Sequence, residues 1–183
     1  MTLTKNTMRE ISLNKLKNTH KFNRIYREYL LNKELQKLLK SKKREKILFY
    51  YPLKMEANIL KTLHKLRKTN DIYIPFMFEQ SFKMVPFRLP LKRKKFGIFE
   101  AGNSHLDIRN IDIAVVPAVG VDGNLQRIGF GKGMYDRFFE KLKKRPYIIF
   151  TQLEYCYTKE LICDSYDVAA DILLTPTKML KSK

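Results

Sequence analysis

Long apolar runs, paired cysteines and linker composition are all missing from this chain of 183 residues, and each absence removes a class of protein. No stretch approaches the roughly 18 apolar residues of a membrane span. The opening residues alternate polar and apolar without an apolar signal core, which points to a cytoplasmic protein rather than an exported or membrane one. Cys156 and Cys163 are too few for a disulfide framework and have no cysteine or histidine neighbours at zinc spacing. No run rich in Gly, Ser and Pro and no internal repeat divides the chain, so residues 1–183 are expected to form a single domain; a monomer is the working expectation, which the sequence does not decide. A chain of this length buries about 70% of its unfolded surface, and a hydrophobic content of 44% supplies the core.

Acidic residues are scarce as well, at 18 against 37 Lys and Arg. The imbalance is uneven: residues 1–95 hold 25 basic and 7 acidic residues, residues 96–183 hold 12 and 11. A basic helical region over about residues 1–45 is therefore expected. Phe22, Ile25, Tyr26, Tyr29, Leu30, Leu35, Leu38 and Leu39 recur as one apolar face, and Lys21, Arg24, Lys33, Lys37, Lys40 and Lys42 fall largely off it. Such a face with interleaved tyrosines could track nucleic acid. Lysine predominates over arginine and no recognisable RNA or DNA module accompanies it, so a solvated face is the expected reading, with no specific nucleic-acid partner. His20, His64 and His105 have no acidic or cysteine partner nearby and read as surface or core histidines.

What the chain does have is concentrated in Arg127-Ile-Gly-Phe-Gly-Lys-Gly-Met-Tyr-Asp136. Glycine at every second position clears side chains from a short segment and lets its N–H groups converge on phosphate oxygens, while Arg127 and Lys132 offset the charge. Asp136 is a hard oxygen donor of the kind Mg2+ uses when it bridges protein to nucleotide. The run Ile111-Asp-Ile-Ala-Val-Val116, ended by Pro117, reads as a strand buried on both faces, followed by a turn at Asp122-Gly-Asn124. From Lys132 onward Tyr135, Phe138, Phe139 and Leu142 recur at helical spacing, which sets the glycines between a strand end and a helix start. The Walker loop is excluded because Gly133, not Ser or Thr, follows Lys132, and the dinucleotide fingerprint because its third glycine comes one residue early. On spacing alone, a flexible turn with a solvated lysine fits equally well.

The remaining chain alternates: strands at 46–51, 72–76, 147–151 and 171–175, an extended run at 81–87 and a helix at 57–68. Tyr73, Phe87, Tyr147 and Phe150 read as core. This predicts an α/β fold with a mostly parallel sheet covered on both faces, a three-layer α/β/α arrangement.

These segments together resemble the 5-formyltetrahydrofolate cyclo-ligase family. Its hallmark reads here as Val116-Pro117, the Asp122-Gly123-Asn124 turn and Arg127 to Asp136. Tyr166-Asp-Val-Ala-Ala-Asp-Ile-Leu-Leu-Thr175 is similar to the family's C-terminal segment, Glu45 to Glu56 to its first strand, and Lys5-x-x-x-Arg9 to its N-terminal basic pair. Three positions depart: Met134 and Tyr166 replace an aromatic and a frequent histidine, and Phe96-Gly-Ile-Phe-Glu-Ala101 lacks both prolines of the family's segment, removing rigidity from a loop expected near the pterin. The resemblance implies the fold shared with ribose-phosphate isomerase and glucosamine-phosphate deaminase. It also implies conversion of 5-formyltetrahydrofolate, with or without a polyglutamate tail, to 5,10-methenyltetrahydrofolate with ATP and Mg2+, through a phosphorylated formyl group. By the same resemblance Lys132 and Arg127 act on the transferring phosphate, with Lys5, Arg9, Ile128, Gly129, Phe130, Gly131, Gly133, Met134 and Tyr135 around the nucleotide. Tyr51, Glu56 and residues 130–134 face the folate, and Asp136 and Asp167 hold the metal. Asp171 reads as a cap or strand-edge residue. The other readings are a nucleotide-binding relative with weakened folate activity and a basic nucleic-acid binding protein.

Overall fold

The computed structural model describes residues 2–21, 23–93, 99–104, 108 and 110–182. In chain order the elements are α1 (Lys5–Lys21), α2 (Arg24–Leu38), β1 (Lys46–Leu48), α3 (Leu60–Leu66), β2 (Asp71–Phe78), β3 (Ser81–Pro86), β4 (Lys92–Arg93) and β5 (Phe99–Glu100). There follow β6 (Ile113–Pro117), β7 (Gly120–Val121), β8 (Arg127–Ile128), α4 (Met134–Glu140), β9 (Tyr147–Thr151), β10 (Ile172–Leu174) and β11 (Met179–Lys181). No helix among the described residues is long and apolar enough to cross a membrane.

Seven strands form one sheet in the order β11-β10-β9-β6-β1-β2-β3. The five inner strands are parallel, with Ile47 opposite Ile113 and Val115 opposite Ile149, and β3 and β11 close the edges antiparallel. β6 lies at the centre of the sheet because all five of its residues are apolar and buried, the pattern that a strand covered on both faces requires. Side chains then sort by strand alternation. Ile47, Ile113, Val115, Ile149, Ile172 and Leu174 face the cluster that includes Leu31 and Leu35 of α2 and Leu63 of α3. Leu48, Ala114, Val116, Ile148, Phe150 and Leu173 face Phe138 of α4. Helices therefore cover both faces, as the alternating sequence pattern requires.

From β1 the chain adds β2 and β3 on one side, then crosses to β6 on the other. The strand order reverses between β1 and β6, and open α/β sheets bind ligands at the carboxyl ends of strands beside such a reversal. Two of the segments singled out above emerge there: the one from Phe49 to Glu56 after β1, and the one from Ala118 to Gly133 after β6.

Several elements are shorter than the sequence suggests. The strand expected over 46–51 ends at Leu48, and the helix expected over 57–68 spans Leu60–Leu66. The helix expected from Lys132 begins at Met134, because Gly133 (φ 58°) stands in the left-handed region just before it. Phe87 and Phe150 are buried as expected, whereas Tyr147, at the start of β9, is 43% exposed and Tyr73 only half-buried.

The apolar face assigned to the N-terminal region is displaced. Leu31, Leu35 and Leu39 carry the buried stripe, while Ile25, Tyr26 and Tyr29 are exposed. Two physical causes act. Asn23, at φ 56°, breaks the helical phase between α1 and α2. Asn32 lies within the buried stripe, where its Nδ2 donates to the carbonyl of Asn58 (2.7 Å) and its Oδ1 accepts from Thr62 N (3.1 Å) and Oγ1 (2.6 Å). A polar residue whose bonding is satisfied by α3 counts as a break to hydrophobic periodicity, although it is part of the core. Phe22 lies outside the described residues, as do Phe96 to Ile98, His105 and the side chains of His20 and Lys21.

Leu31→Ala is expected to cost about 2–5 kcal/mol through cavity formation. Ile25→Ala should stay within about 0.5 kcal/mol. Urea unfolding of both variants checks the assignment, and equal losses would contradict it.

Candidate active site

The glycine segment leaves β8, crosses the sheet's carboxyl edge and ends at the first turn of α4. Gly131 (φ 91°) and Gly133 (φ 58°) occupy the backbone region that disfavours other residues. Gly129 is required for another reason: a Cβ there would lie 2.5 Å from Nη1 of Arg127. That guanidinium is buried under the loop. Its Nε donates to the carbonyl of Pro117 (2.9 Å), and its carbon centre lies 4.7 Å from the centroid of the Tyr135 ring. Burial pulls the Arg127 pKa down, against the opposing influence of Tyr135, Asp136, Glu56 and Asp167.

α1 closes over this loop from the other side. Lys5 and Arg9 lie one turn apart on it, so their side chains share a face. Arg9 Nε donates to the carbonyl of Gly129 (2.8 Å). Lys5 Nζ donates to Asp164 (3.1 Å) and forms a short contact with Asp167. Burial acts to lower the Lys5 pKa, and its bonds to Asp167 and Asp164 outweigh that, raising it overall. Asp167 also accepts from the backbone N–H of Asp164 (2.8 Å), and Asp136 accepts from that of Val168 (3.2 Å), which ties the start of α4 to the residue after Asp167.

Lys5, Arg9, Arg127, Gly129, Gly131, Lys132, Gly133, Asp136 and Asp167 all line one cavity of about 1130 Å3. Lys132 is exposed on its rim, its ammonium without an ion-pair or hydrogen-bond partner among the described residues. The donor set suits Mg2+: two carboxylates lining one cavity beside a cationic loop would leave the other positions to phosphate and water oxygens, the arrangement this ion prefers. No group of three or more His, Cys, Asp or Glu that could hold a metal occurs among the described residues, so a closed cage of protein ligands is not what these positions form.

The other expected residues lie elsewhere. Ile128 is fully buried against Met8 and Cys156, and Met134 and Tyr135 pack into the layer beneath α4. Phe130 is 41% exposed and shares with Glu56 a cleft of only about 10 Å3, which has no lining residue in common with the large cavity. Tyr51 stands with its ring 5.3 Å from that of Phe99. Glu56 accepts from Leu53 N (2.8 Å), yet burial raises its pKa to about 7, against that bond and the charge of Arg127. Burial pushes the Cys163 thiol to about 12 and Cys156 to about 11, so neither is poised as a nucleophile. Asp171 ties strand starts together, accepting from Arg145 (2.9 Å) and from Ile148 N (2.6 Å).

Sequence reasoning missed Arg137 and Asp164. Arg137 Nη2 donates to the carbonyl of Lys132 (2.6 Å) and its Nε to that of Gln80 (3.0 Å), fixing the loop against the β2–β3 turn. A Cβ on Gly133 would meet Arg137 Nη1 at 2.8 Å. The signal was available, since Arg137 stands one helical turn after Gly133. Asp164 had no such signal, because only the fold of the 163–168 segment brings it to Lys5.

Known proteins agree with this picture. The family model described as the 5-formyltetrahydrofolate cyclo-ligase family matches residues 2–176. The chain is 26% identical over 173 residues to 5-formyltetrahydrofolate cyclo-ligase of Mycoplasma genitalium, covering 93% of this chain and 96% of that one. It is 25% identical over 173 residues to the protein of that name from Mycoplasma pneumoniae, covering 93% and 97%. The solved structure of 5,10-methenyltetrahydrofolate synthetase from Aquifex aeolicus superposes with a TM-score of 0.78 at 24% identity over 98% of this chain and 93% of that one, a likeness that speaks for the fold. A family match that runs from α1 through the glycine loop to Asp167 takes in every residue gathered at the large cavity, and the chain belongs to the 5-formyltetrahydrofolate cyclo-ligase family and is an enzyme of that class.

Proposed function

We propose that the enzyme converts 5-formyltetrahydrofolate to 5,10-methenyltetrahydrofolate with ATP and Mg2+, releasing ADP and phosphate. The formyl group is an amide, too weak an electrophile for the neighbouring amine to close a ring by expelling water. Transfer of the terminal phosphoryl group to the formyl oxygen gives an iminium phosphate; the second folate nitrogen then attacks that carbon, and phosphate leaves. Such a transfer asks the protein for positioning and charge stabilisation. The observation that carries this reading is the convergence of Lys5, Arg9, Lys132, Asp136 and Asp167 on the glycine-lined cavity at the strand-order reversal.

In this reading the loop amides and Lys132 hold the transferring phosphate, Arg127 fixes the loop from below, and Lys5 and Arg9 hold the rest of the nucleotide. Asp136 and Asp167 would hold Mg2+, whose charge, when bound, offsets that developing on the phosphate oxygens. Glu56, Tyr51 and Phe130 take the folate side. A bicyclic pterin does not fit a cleft of about 10 Å3, so Phe130 must swing aside for folate to reach Glu56. Glu56, with a pKa near 7, then holds or gives up a proton at neutral pH beside the pterin.

Mixing the protein with ATP, Mg2+ and 5-formyltetrahydrofolate should produce the methenyl chromophore only when ATP is present; formation at the same rate without ATP would reject the reaction. Lys132→Ala and Asp136→Asn should each lower turnover about a hundredfold, on the order of 3 kcal/mol, and the unfolding midpoint should stay unchanged in Lys132→Ala, whose exposed ammonium has no partner among the described residues to lose. Wild-type kinetics in either variant at saturating ATP would reject the phosphate-loop assignment.

The Glu56 carboxyl makes a separate prediction. Its folded pKa lies above the ordinary 4.5, so the native state binds this proton more tightly than the unfolded chain. Stability is therefore fully present below about pH 4.5 and falls as pH rises towards 7. Glu56→Gln removes that loss: it should match the wild type at about pH 4 and exceed it by at most about 3 kcal/mol at pH 8. Urea unfolding at both pH values measures this, and a variant equally or less stable at pH 8 would contradict the burial argument.

A further inference from the structure

The lysines of the N-terminal region read from sequence as a solvated face, but the fold gathers them with lysines from a second helix. α2 and α3 lie side by side on one face of the sheet, joined through Asn32 and Thr62. Between them runs a groove of about 830 Å3 lined by eight lysines, with no arginine, aspartate or glutamate among its described lining residues. Lys33, Lys37 and Lys40 follow one another along α2 and the turn after it, and Lys61, Lys65 and Lys68 do the same along α3. Each row therefore places an exposed ammonium about every helical turn, ~5.4 Å. None of the six forms an ion pair among the described residues, and Lys65 donates only to the neutral Gln36 side chain (3.0 Å). Like charges gathered without a carboxylate repel one another, and a bound polyanion relieves that repulsion.

Position separates this groove from the active site. At the start of α2, Arg24 Nη1 donates to the carbonyl of Lys54 (3.0 Å), near the carboxyl end of β1. The helix then runs away from that end, and the groove finishes at Lys42, Lys43 and Thr69, which lead into the amino ends of β1 and β2. None of its lining residues lines the large cavity.

The shape and side chains select among polyanions. A bilayer is flat and does not enter a groove between two helices. Carboxylate recognition favours the arginine fork, which is absent here, whereas lysine acts as a point charge on phosphate. Tyr29 stands at the groove, 52% exposed, with the Lys61 ammonium 5.7 Å from its ring centroid, and Tyr26 is 62% exposed on the same helix. A basic groove with an accessible aromatic ring is how proteins hold a single strand, by tracking its backbone and stacking its bases. The two amides that line the groove are engaged within the protein, Asn32 by Asn58 and Thr62 and Gln36 by Thr62 and Lys65, so neither is free to read base edges. We propose that the α2–α3 groove binds single-stranded RNA without sequence preference, its lysines on the phosphates and Tyr29 beneath a base.

The test is a fluorescence-anisotropy titration of labelled oligouridylate with the full chain, across about 50 to 300 mM salt. Log affinity should fall linearly with log salt. Replacing Lys37, Lys40, Lys65 and Lys68 with Gln should weaken binding at least tenfold at the lowest salt and flatten the slope by about 3, at roughly 0.7 per phosphate contact. Tyr29→Ala should weaken binding severalfold and leave the slope unchanged. Both variants should keep cyclo-ligase turnover. Wild-type affinity and slope in the lysine variant would overturn the proposal, since diffuse net charge would then suffice. Unchanged affinity in Tyr29→Ala would remove the stacking role. Equal or tighter binding of duplex RNA, polyglutamate or phosphatidylserine vesicles would show that single-stranded RNA is not the occupant.

Discussion

Burying the Arg127 guanidinium is costly unless its surroundings answer its charge, and the site is arranged around that requirement. The carbonyl of Pro117 takes Nε, the Tyr135 ring lies beneath the cation, and Asp136, Glu56 and Asp167 supply negative charge close by. They come from four segments, so this one side chain fixes the end of β6, the start of α4 and the two acidic segments relative to one another. Gly129 follows from the same constraint, because any side chain there would occupy the volume of the guanidinium. The loop is thus held open at Gly131 and Lys132 while being anchored at both ends, below by Arg127 and at Lys132 by Arg137.

α1 adds charge from the opposite side. Lys5 rests on Asp167 and Asp164, and Arg9 on the Gly129 carbonyl, so the helix is tied to the cavity by groups that the proposed nucleotide and metal would also engage. In that reading Asp167 would hold Mg2+ in place of the Lys5 ammonium, and Lys5 would pair with phosphate instead. Exchange of one cation for another keeps the carboxylate paired throughout, which avoids the cost of leaving a buried charge alone.

Local signals in the sequence were sufficient for the centre of this arrangement. The apolar run of β6, the alternate glycines and Asp136 each report on their own few residues, and the fold places them as expected. Lys5, Arg9 and Asp167 were reached through the family pattern and not through physics, because nothing within 10 residues of any of them signals a partner over 100 residues away. The α2 face was misplaced because Asn32 is polar yet buried, a situation that only its partners on α3 explain. The lysine groove was invisible for a related reason: Lys37 and Lys65 belong to separate helices, and charge counts along a chain carry no information about which helices will lie side by side. The narrowness of the cleft beside Glu56 depends on how side chains from several segments, Leu16, Met55 and Phe130 among them, meet around it, which periodicity does not address.

The central claim is that the cavity beside residues 129–133 receives the phosphates of ATP. A crystal structure of the protein with a non-hydrolysable ATP analogue and Mg2+ tests it most directly. The account predicts phosphate oxygens on the amides of Gly129 to Gly133 and on Lys132, metal density shared by Asp136 and Asp167, and the Lys5 ammonium moved from Asp167 onto the nucleotide. Nucleotide density elsewhere, or phosphates in this cavity with the metal away from both carboxylates and Lys5 still on Asp167, would contradict it.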